Sequence, residues 1–270
     1  MTAFQAIILG LIQGLTEFLP VSSSGHLIFI PKLLGWVDQG VAFDLVMHLG
    51  TLLAVVIYFR VKLWNLVKAV FSRGTEQVSS DGVNERKLAW AIALSCIPAA
   101  IVGLILETND RNAVVVAGNL IFWGLVLGAA DLYTRKKTPV NAVEGEKKSL
   151  RSIIIMSFAQ LLALIPGTSR SGITMTAGLF SGLTRAKAAE ISFLMSVPIT
   201  ALAGADAVYE LSKIGLVGIE MSSLIIGFIS AFVFGLIAIF SVLKIVQRWS
   251  FMPFVVYRVI IGILILWWLV

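Results

Sequence analysis

Charged residues are scarce in this chain of 270 residues: Asp, Glu, Lys and Arg make up 13% of it, whereas 58% is hydrophobic. Soluble globular domains carry about a quarter charged residues, so the composition excludes an ordinary water-soluble protein. Apolar stretches of about 18 or more residues, long enough to cross a hydrocarbon layer of ~30 Å, recur along the whole chain. We therefore predict a single membrane domain over residues 1–270, with membrane lipid as its solvent.

Cysteine is almost absent, and the excess of basic residues is small. The single cysteine, Cys96, can neither form an internal disulfide nor complete a thiolate metal site. The 21 Lys and Arg residues against 15 Asp and Glu lie between apolar segments, where they set membrane orientation. We therefore expect no nucleic-acid partner. The first residues lack the basic region of a signal peptide, so we expect the N-terminal segment to be retained.

Eight apolar segments are visible, and two of them are interrupted. The breaks fall at residues 20–26 and 166–172, and each flanking arm is roughly 10–16 residues long, which suits a re-entrant helix pair. Broken backbone at mid-bilayer depth is tolerated only where protein or a wet cavity satisfies it. The six uninterrupted segments predict transmembrane helices at about 42–60, 88–106, 113–133, 187–210, 219–243 and 253–270.

The two interruptions resemble each other. LPVSS at residues 19–23 aligns on its proline with IPGTS at residues 165–169, which predicts an internal repeat. A re-entrant pair and three spans in each half would insert the second half upside down. The fold class predicted is thus an all-α integral membrane protein with about six transmembrane helices and two re-entrant pairs in an inverted-topology repeat. The halves would be residues 1–135 and 150–270, joined by a cytoplasmic linker at 136–149.

The distribution of basic residues favours this topology. With both broken segments re-entrant, only Lys32, Arg111 and Lys213 fall opposite the majority of Lys and Arg, which the positive-inside rule places in the cytoplasm. If the second broken segment crossed the bilayer completely, the Lys and Arg residues would be divided less unevenly between the two sides of the membrane. The first helix pair then opens outward, the second opens inward, and their polar tips meet near the midplane.

The two tips carry the chemistry. Glu, His and Arg are costly inside a bilayer, so at that depth they indicate function. Gln13 and Glu17 share one helix face and could hold a divalent cation, while hydroxyls and N–H groups at helix starts bind oxyanions. Arg170 adds a bidentate donor. These groups suit pyrophosphate bound with a metal and attacked by a nucleophile. The residues concerned are Gln13, Glu17, Ser22, Ser23, Ser24 and His26 of the first tip and Thr168, Ser169, Arg170, Ser171 and Thr174 of the second.

Both tips resemble the signature motifs of a known family. QGLTEFLPVSSSGHL at residues 13–27 and PGTSRSG at 166–172 are similar to those of the bacterial undecaprenyl-diphosphate phosphatases of the bacitracin-resistance type, as are the segments at 43–44 and 190–194. The resemblance implies a multi-pass inner-membrane enzyme, typically a homodimer, with its active site facing the periplasmic side. It would hydrolyse this polyprenyl diphosphate to undecaprenyl phosphate and phosphate, which recycles the lipid carrier for cell-wall synthesis, with Mg²⁺ or Ca²⁺ as cofactor.

The resemblance also implies roles for residues. Glu17 would serve the metal and the diphosphate, Ser23 and His26 would supply nucleophile and base, and Arg170 with Ser169 and Thr174 would bind the phosphates. Ordinary nucleophile–base logic favours Ser23 activated by His26, while direct attack by His26 is also permitted chemistry. Residue 13 is Glu in some members and Gln here, so Glu17 would act with waters, Gln13 or substrate oxygens. The predicted site is completed by Ser22, Ser24, Thr168 and Ser171 as substrate-binding residues.

Three further polar residues lie in apolar segments, and one rival function fits the same pattern. Asp44 and His48 lie one turn apart with no third ligand in view, which favours local polar packing over a metal pair. Arg258, several residues into the last span, is predicted to snorkel, with pairing to Glu17 or substrate as the alternative. Broken helices in inverted repeats are also typical of secondary transporters, although a transporter needs no His and Ser beside Glu at the same tip.

Overall fold

The described part of the chain is helical. The computed structural model describes residues 1–72, 84–105, 112–137, 146–214 and 220–269, and these ranges contain no β-strand, which confirms the all-α prediction. The helices are α1 Ala3–Phe18, α2 Ser23–Leu33, α3 Gly40–Tyr58, α4 Arg60–Phe71, α5 Glu85–Leu94, α6 Ile97–Ile105, α7 Ala113–Lys137, α8 Glu146–Ala159, α9 Arg170–Phe180, α10 Arg185–Ile214, α11 Met221–Arg248 and α12 Met252–Leu269, with a 3₁₀ segment Gln160–Leu164 between α8 and α9.

Five segments of the described ranges are long and apolar enough to cross a membrane. They confirm five of the six predicted spans, while the sixth is helix α12, whose apolar stretch, Met252–Trp268, is shorter. The qualifying segments are Gly40–Tyr58, Glu85–Gly103, Ala113–Lys136, Arg185–Ala205 and Met221–Arg248.

Two of these elements differ in detail from the sequence prediction. The span predicted at 88–106 is broken between α5 and α6 at Ser95 and Cys96, because Pro98 has no N–H to continue the helical hydrogen bonds. The basic segment after α3, which lies between two predicted spans, forms the helix α4. Lys62 of α4 forms an ion pair with Glu190 of α10, which ties this helix to the bundle.

Both interrupted segments form two helices joined by a short loop, as predicted. Helix α1 begins with a capping box between Thr2 and Gln5. It ends at Phe18 because Pro20 disfavours the helical conformation of the preceding residue, and Leu19 is extended, with φ −69° and ψ 142°.

The two loops end in the same unusual conformation. Ser22 and Ser169 have positive φ angles of 73° and 74°, and α2 and α9 begin directly after them. The alignment on prolines paired Ser22 with Thr168, and this pairing is wrong by one residue. The second loop, residues 165–169, has one more residue than the first, residues 19–22. Within it Gly167 adopts φ 87°, and a Cβ there would lie 2.4 Å from the carbonyl oxygen of Val116.

Close helix contact fixes the polar end of α1. Helix α1 packs along α11, which also packs against α3. A Cβ at Gly10 would lie 2.5 Å from the carbonyl oxygen of Gly227, and one at Gly14 would lie 2.7 Å from that of Ala231. Only glycine permits this approach, which is the small-residue packing typical of membrane helices. The last turn of α1, which carries Glu17, is therefore rigidly placed.

Candidate active site

Glu17 is the centre of a hydrogen-bonded cluster that joins the two tips. Its Oε1 accepts a 2.7 Å hydrogen bond from Nη2 of Arg170 in the second tip. Its Oε2 accepts from Oγ of Ser23 at 2.9 Å and from Nε2 of Gln13 at 3.1 Å. The carboxylate is 10% exposed. The structure thus brings four predicted site residues into direct contact.

Arg170 is held from two sides and does not face lipid. Besides its ion pair with Glu17, its Nη1 donates to the carbonyl oxygen of Ser192 on α10 at 3.2 Å. Thr174 lies one turn further along α9, where its hydroxyl donates to the carbonyl oxygen of Arg170 at 2.8 Å and bonds the hydroxyl of Ser192 at 2.7 Å. Thr174 therefore orients the helix turn that carries the guanidinium.

The serines of the two tips cap helices and link the loops. Ser169 Oγ accepts from the backbone N–H of Gly172 at 3.1 Å, an N-cap of α9. Ser171 Oγ donates to the carbonyl oxygen of Leu19 at 3.0 Å, so a side chain of the second tip bonds the backbone of the first. Ser22 and Ser24 bond each other at 3.3 Å.

A cavity of about 280 Å³ opens at this cluster. Seven of the eleven predicted site residues line it, and four lie outside its walls: Gln13, His26, Thr168 and Thr174. The lining consists of Thr16, Glu17, Ser22, Ser23, Ser24, Leu45, His48, Ala163, Ser169, Arg170, Ser171, Ile199, Thr200, Ala203 and Gly204. The starts of α2 and α9 both face this space, so their N-terminal partial positive charges favour an anion there.

His26 points away from the cavity. Its Nδ1 donates to the carbonyl oxygen of Ser22 at 2.7 Å, and its Nε2 accepts from the hydroxyl of Tyr257 at 2.7 Å. The imidazole is buried, with both ring nitrogens occupied and its plane within 4° of that of the Tyr257 ring. The structure does not bring His26 into hydrogen-bond contact with Ser23.

His48 takes a place in the site that the sequence did not reveal. It lines the cavity from α3, and its Nε2 lies 3.7 Å from Oε2 of Glu17. The Asp44 carboxylate accepts a 2.6 Å hydrogen bond from Nε2 of Gln39. Nδ1 of His48 bonds the carbonyl oxygen of Asp44 at 2.7 Å, so the local polar contact predicted for these two residues is present. A histidine within an apolar span was the available signal.

Arg258 binds the backbone of both loops, and the prediction that it snorkels is wrong. Its side chain is fully buried on α12. The loops leave carbonyl groups in the protein interior, and a guanidinium has five N–H donors to satisfy them. The acceptors are three loop carbonyl oxygens, of Pro20 at 3.2 Å, Gly167 at 3.0 Å and Thr168 at 3.0 Å, and two carbonyl oxygens of helix α7, of Asn119 at 3.2 Å and Leu120 at 3.1 Å.

Arg258→Lys is expected to destabilise the protein by at least about 3 kcal/mol, because an ammonium group with three donors leaves buried carbonyls unsatisfied. Thermal unfolding of the purified protein in detergent measures the change. Arg248→Lys is the matched control, since Arg248 is exposed at the end of α11 and its replacement should change little. Wild-type stability of Arg258→Lys would contradict this account of the loops.

A family model described as bacitracin resistance protein BacA matches residues 6–264, a span that includes both tips and Arg258. The chain belongs to the BacA family. Its relatives include an undecaprenyl-diphosphatase of Alteromonas mediterranea, 44% identical over 272 residues that cover 99% of this chain and 98% of the relative. The undecaprenyl-diphosphatase of Colwellia psychrerythraea is 43% identical over 276 residues, an alignment that covers all of both chains. The family resemblance is confirmed, and the match covers nearly the whole chain.

Proposed function

We propose that this chain hydrolyses undecaprenyl diphosphate to undecaprenyl phosphate and inorganic phosphate in the cavity between the two tips. The observation that carries the proposal is the cluster of Glu17, Ser23 and Arg170, which joins an acid, a hydroxyl and a guanidinium from separate segments at one cavity. Membership of the BacA family and the names of the relatives support the substrate. The product returns the lipid carrier to cell-wall synthesis.

The residues support a covalent route for the first step. Arg170 binds the oxygens of the terminal phosphate, and the starts of α2 and α9 add N–H donors. Ser23 Oγ attacks the terminal phosphorus while its proton passes to Glu17 Oε2, its hydrogen-bond acceptor at 2.9 Å. The P–O bond to the bridging oxygen breaks, and undecaprenyl phosphate leaves. Ser23 is favoured over His26 as the nucleophile because only Ser23 lines the cavity.

Glu17 and Gln13 suit a hard divalent cation. Gln13 Oε1 is buried without a hydrogen-bond partner in the described ranges, so it is an oxygen donor available beside the Glu17 carboxylate. These ranges contain no group of three or more His, Cys, Asp or Glu placed to hold a metal. Mg²⁺ needs only one or two protein ligands when substrate phosphates and waters complete its shell. The cation, Mg²⁺ or Ca²⁺, would neutralise diphosphate charge when bound.

The inverted repeat, the periplasmic orientation and the homodimer remain predictions. The repeat is supported by the matching loop conformations at Ser22 and Ser169. It is also supported by reciprocal bonds: Pro20 O accepts from Arg258 in the second proposed half, and Pro166 O accepts from Asn119 in the first, at 3.0 Å. The distribution of basic residues supports an outward-opening first pair. The family resemblance supports the homodimer.

Purified protein is expected to release phosphate from undecaprenyl diphosphate in the presence of Mg²⁺ or Ca²⁺, and to lose this activity in EDTA until the metal is restored. A colorimetric phosphate assay in detergent measures both results. Glu17→Gln is the matched inactive variant, because it keeps the shape of the side chain but removes the charge that pairs with Arg170. Folded protein that releases no phosphate, but takes up an anion in vesicles, would support a transporter instead.

A further inference from the structure

A second cavity lies between α5 and α8, outside the candidate active site. Its volume is about 580 Å³, against about 280 Å³ for the cavity at the two tips, and the two cavities share no lining residue. Because large hydrophobic side chains in its wall remain exposed, no other described helix covers it. Six exposed residues line this α5–α8 groove: Arg86, Lys87, Trp90 and Leu94 of α5, and Ile154 and Phe158 of α8.

The α5–α8 groove is basic at one end and apolar along the rest. Arg86 and Lys87 lie in the first turn of α5, and from Arg86 to Leu94 this helix rises about 12 Å. Ser95 and Ser157 also line the groove, but their hydroxyls donate at 2.6 Å to carbonyl oxygens one turn earlier in the chain. Neither hydroxyl proton is therefore offered to a ligand, and the wall beyond the basic end suits a hydrocarbon chain.

The basic end of the groove suits the phosphate of a lipid headgroup. The backbone N–H groups of Arg86 and Lys87 bond the side-chain oxygen of Asn84 at 3.1 and 3.2 Å, so the start of α5 is capped by the protein itself. The positive charge that faces an anion is therefore that of the two side chains. A guanidinium can donate two parallel hydrogen bonds to a phosphate. Trp90, one turn further along, is of the residue type enriched at headgroup depth.

We propose that the α5–α8 groove binds one anionic phospholipid, with its phosphate at Arg86 and Lys87 and an acyl chain along the apolar wall. The positive-inside rule predicts that the starts of α5 and α8 lie on the cytoplasmic side, where basic pockets between helices bind anionic headgroups. A zwitterionic lipid fits less well, because its ammonium group meets the same positive charge. A water-soluble phosphate compound would leave the apolar wall uncovered. The site is separate from the cavity of the proposed function and does not depend on that function.

Native mass spectrometry of the full-length protein in detergent tests the site. Dioleoyl phosphatidylglycerol, or the zwitterionic dioleoyl phosphatidylethanolamine, is titrated into delipidated wild type and into the double variant Arg86→Gln with Lys87→Gln. Wild type is expected to bind one phosphatidylglycerol more tightly than phosphatidylethanolamine. The double variant should bind phosphatidylglycerol about 30-fold more weakly, which is about fivefold for each basic residue. Added salt should weaken binding to wild type much more than binding to the double variant.

Two further variants separate the groove from general charge effects. Lys244→Gln with Arg248→Gln removes the same charge from exposed positions near the end of α11 and should bind phosphatidylglycerol as wild type does. Leu94→Trp changes no charge and fills part of the apolar wall from an exposed position, so it should also weaken binding.

Three results would overturn the proposal. One is equal affinity of wild type and the double variant at Arg86 and Lys87 for phosphatidylglycerol. Another is equal affinity of wild type for phosphatidylglycerol and phosphatidylethanolamine. The third is displacement of bound phosphatidylglycerol by an equimolar amount of undecaprenyl phosphate, which would make the groove a second site for the lipid carrier.

Discussion

Ser23→Ala is expected to lower turnover of undecaprenyl diphosphate by at least about 10⁴-fold, because loss of a nucleophile removes the covalent step and leaves only binding and electrostatic stabilisation. The same variant should form no labelled protein with undecaprenyl diphosphate that carries ³²P in its terminal phosphate. Substrate affinity should fall much less, since Arg170 and the helix N-termini still face the phosphates. Turnover and acid-stable label are measured on the same preparation.

Ser222→Ala is the control for this variant. Ser222 is exposed at the start of α11, away from the cavity, and its replacement should leave turnover unchanged. Phosphoserine survives acid, whereas phosphohistidine does not. An acid-labile label that persists in Ser23→Ala and disappears in His26→Gln would show that His26 is the nucleophile and that Ser23 is not.

Arg170→Ala is expected to reduce kcat/KM by about 10³- to 10⁵-fold, the range seen when an arginine that stabilises a phosphoryl-transfer transition state is removed. Arg170→Lys should recover only part of this loss, because an ammonium keeps the charge but not the planar fork of donors. Steady-state kinetics on the three proteins measure the effect. Arg60→Lys is the control for the Lys variant, since Arg60 is exposed at the start of α4.

Arg170→Ala should also destabilise the fold, and a double variant separates this effect from catalysis. Removal of the Arg170 guanidinium leaves the Glu17 carboxylate, which is 10% exposed, as a largely buried charge without its partner. This lowers the free energy of unfolding by about 3–5 kcal/mol. Arg170→Ala with Glu17→Gln should regain much of that stability but no activity. Arg170→Ala with wild-type kcat/KM would refute the site, and equal stability of the single and double variants would refute the buried ion pair.

The polar tips were predictable because they break the local pattern. Glu17, Ser23 and Arg170 interrupt apolar segments in which water cannot solvate them, so their cost marks them as functional. The helix–loop–helix form followed equally from local rules, since Pro20 and Pro166 each end a helical run. The family resemblance of the motifs added the substrate class, which these residues alone do not specify.

The remaining features depend on tertiary contacts. His48 belongs to the site only because α3 packs beside α1, and His26 leaves it only because α2 turns its ring towards Tyr257 on α12. No local pattern fixes either orientation. Similarly, the sequence predicts that Arg258 snorkels to the membrane surface, because the loop carbonyl groups that bind its guanidinium are distant from it in sequence. The second loop is one residue longer than the first, and an alignment on the prolines does not show this because the positive φ of Gly167 leaves no signal beyond the glycine itself.

The hydrogen bonds of Arg258 also limit how far the two loops at the site can move apart. An alternating-access cycle requires one half to rock against the other around a central substrate. One guanidinium here bonds the carbonyl oxygens of Pro20 and Gly167, so separating the loops would strand several acceptors in a dry interior. A hydrolytic reaction does not require a path across the bilayer, so it does not require these hydrogen bonds to break. The hydrogen bonds of Arg258 therefore favour a candidate site whose two loops stay together throughout the proposed reaction.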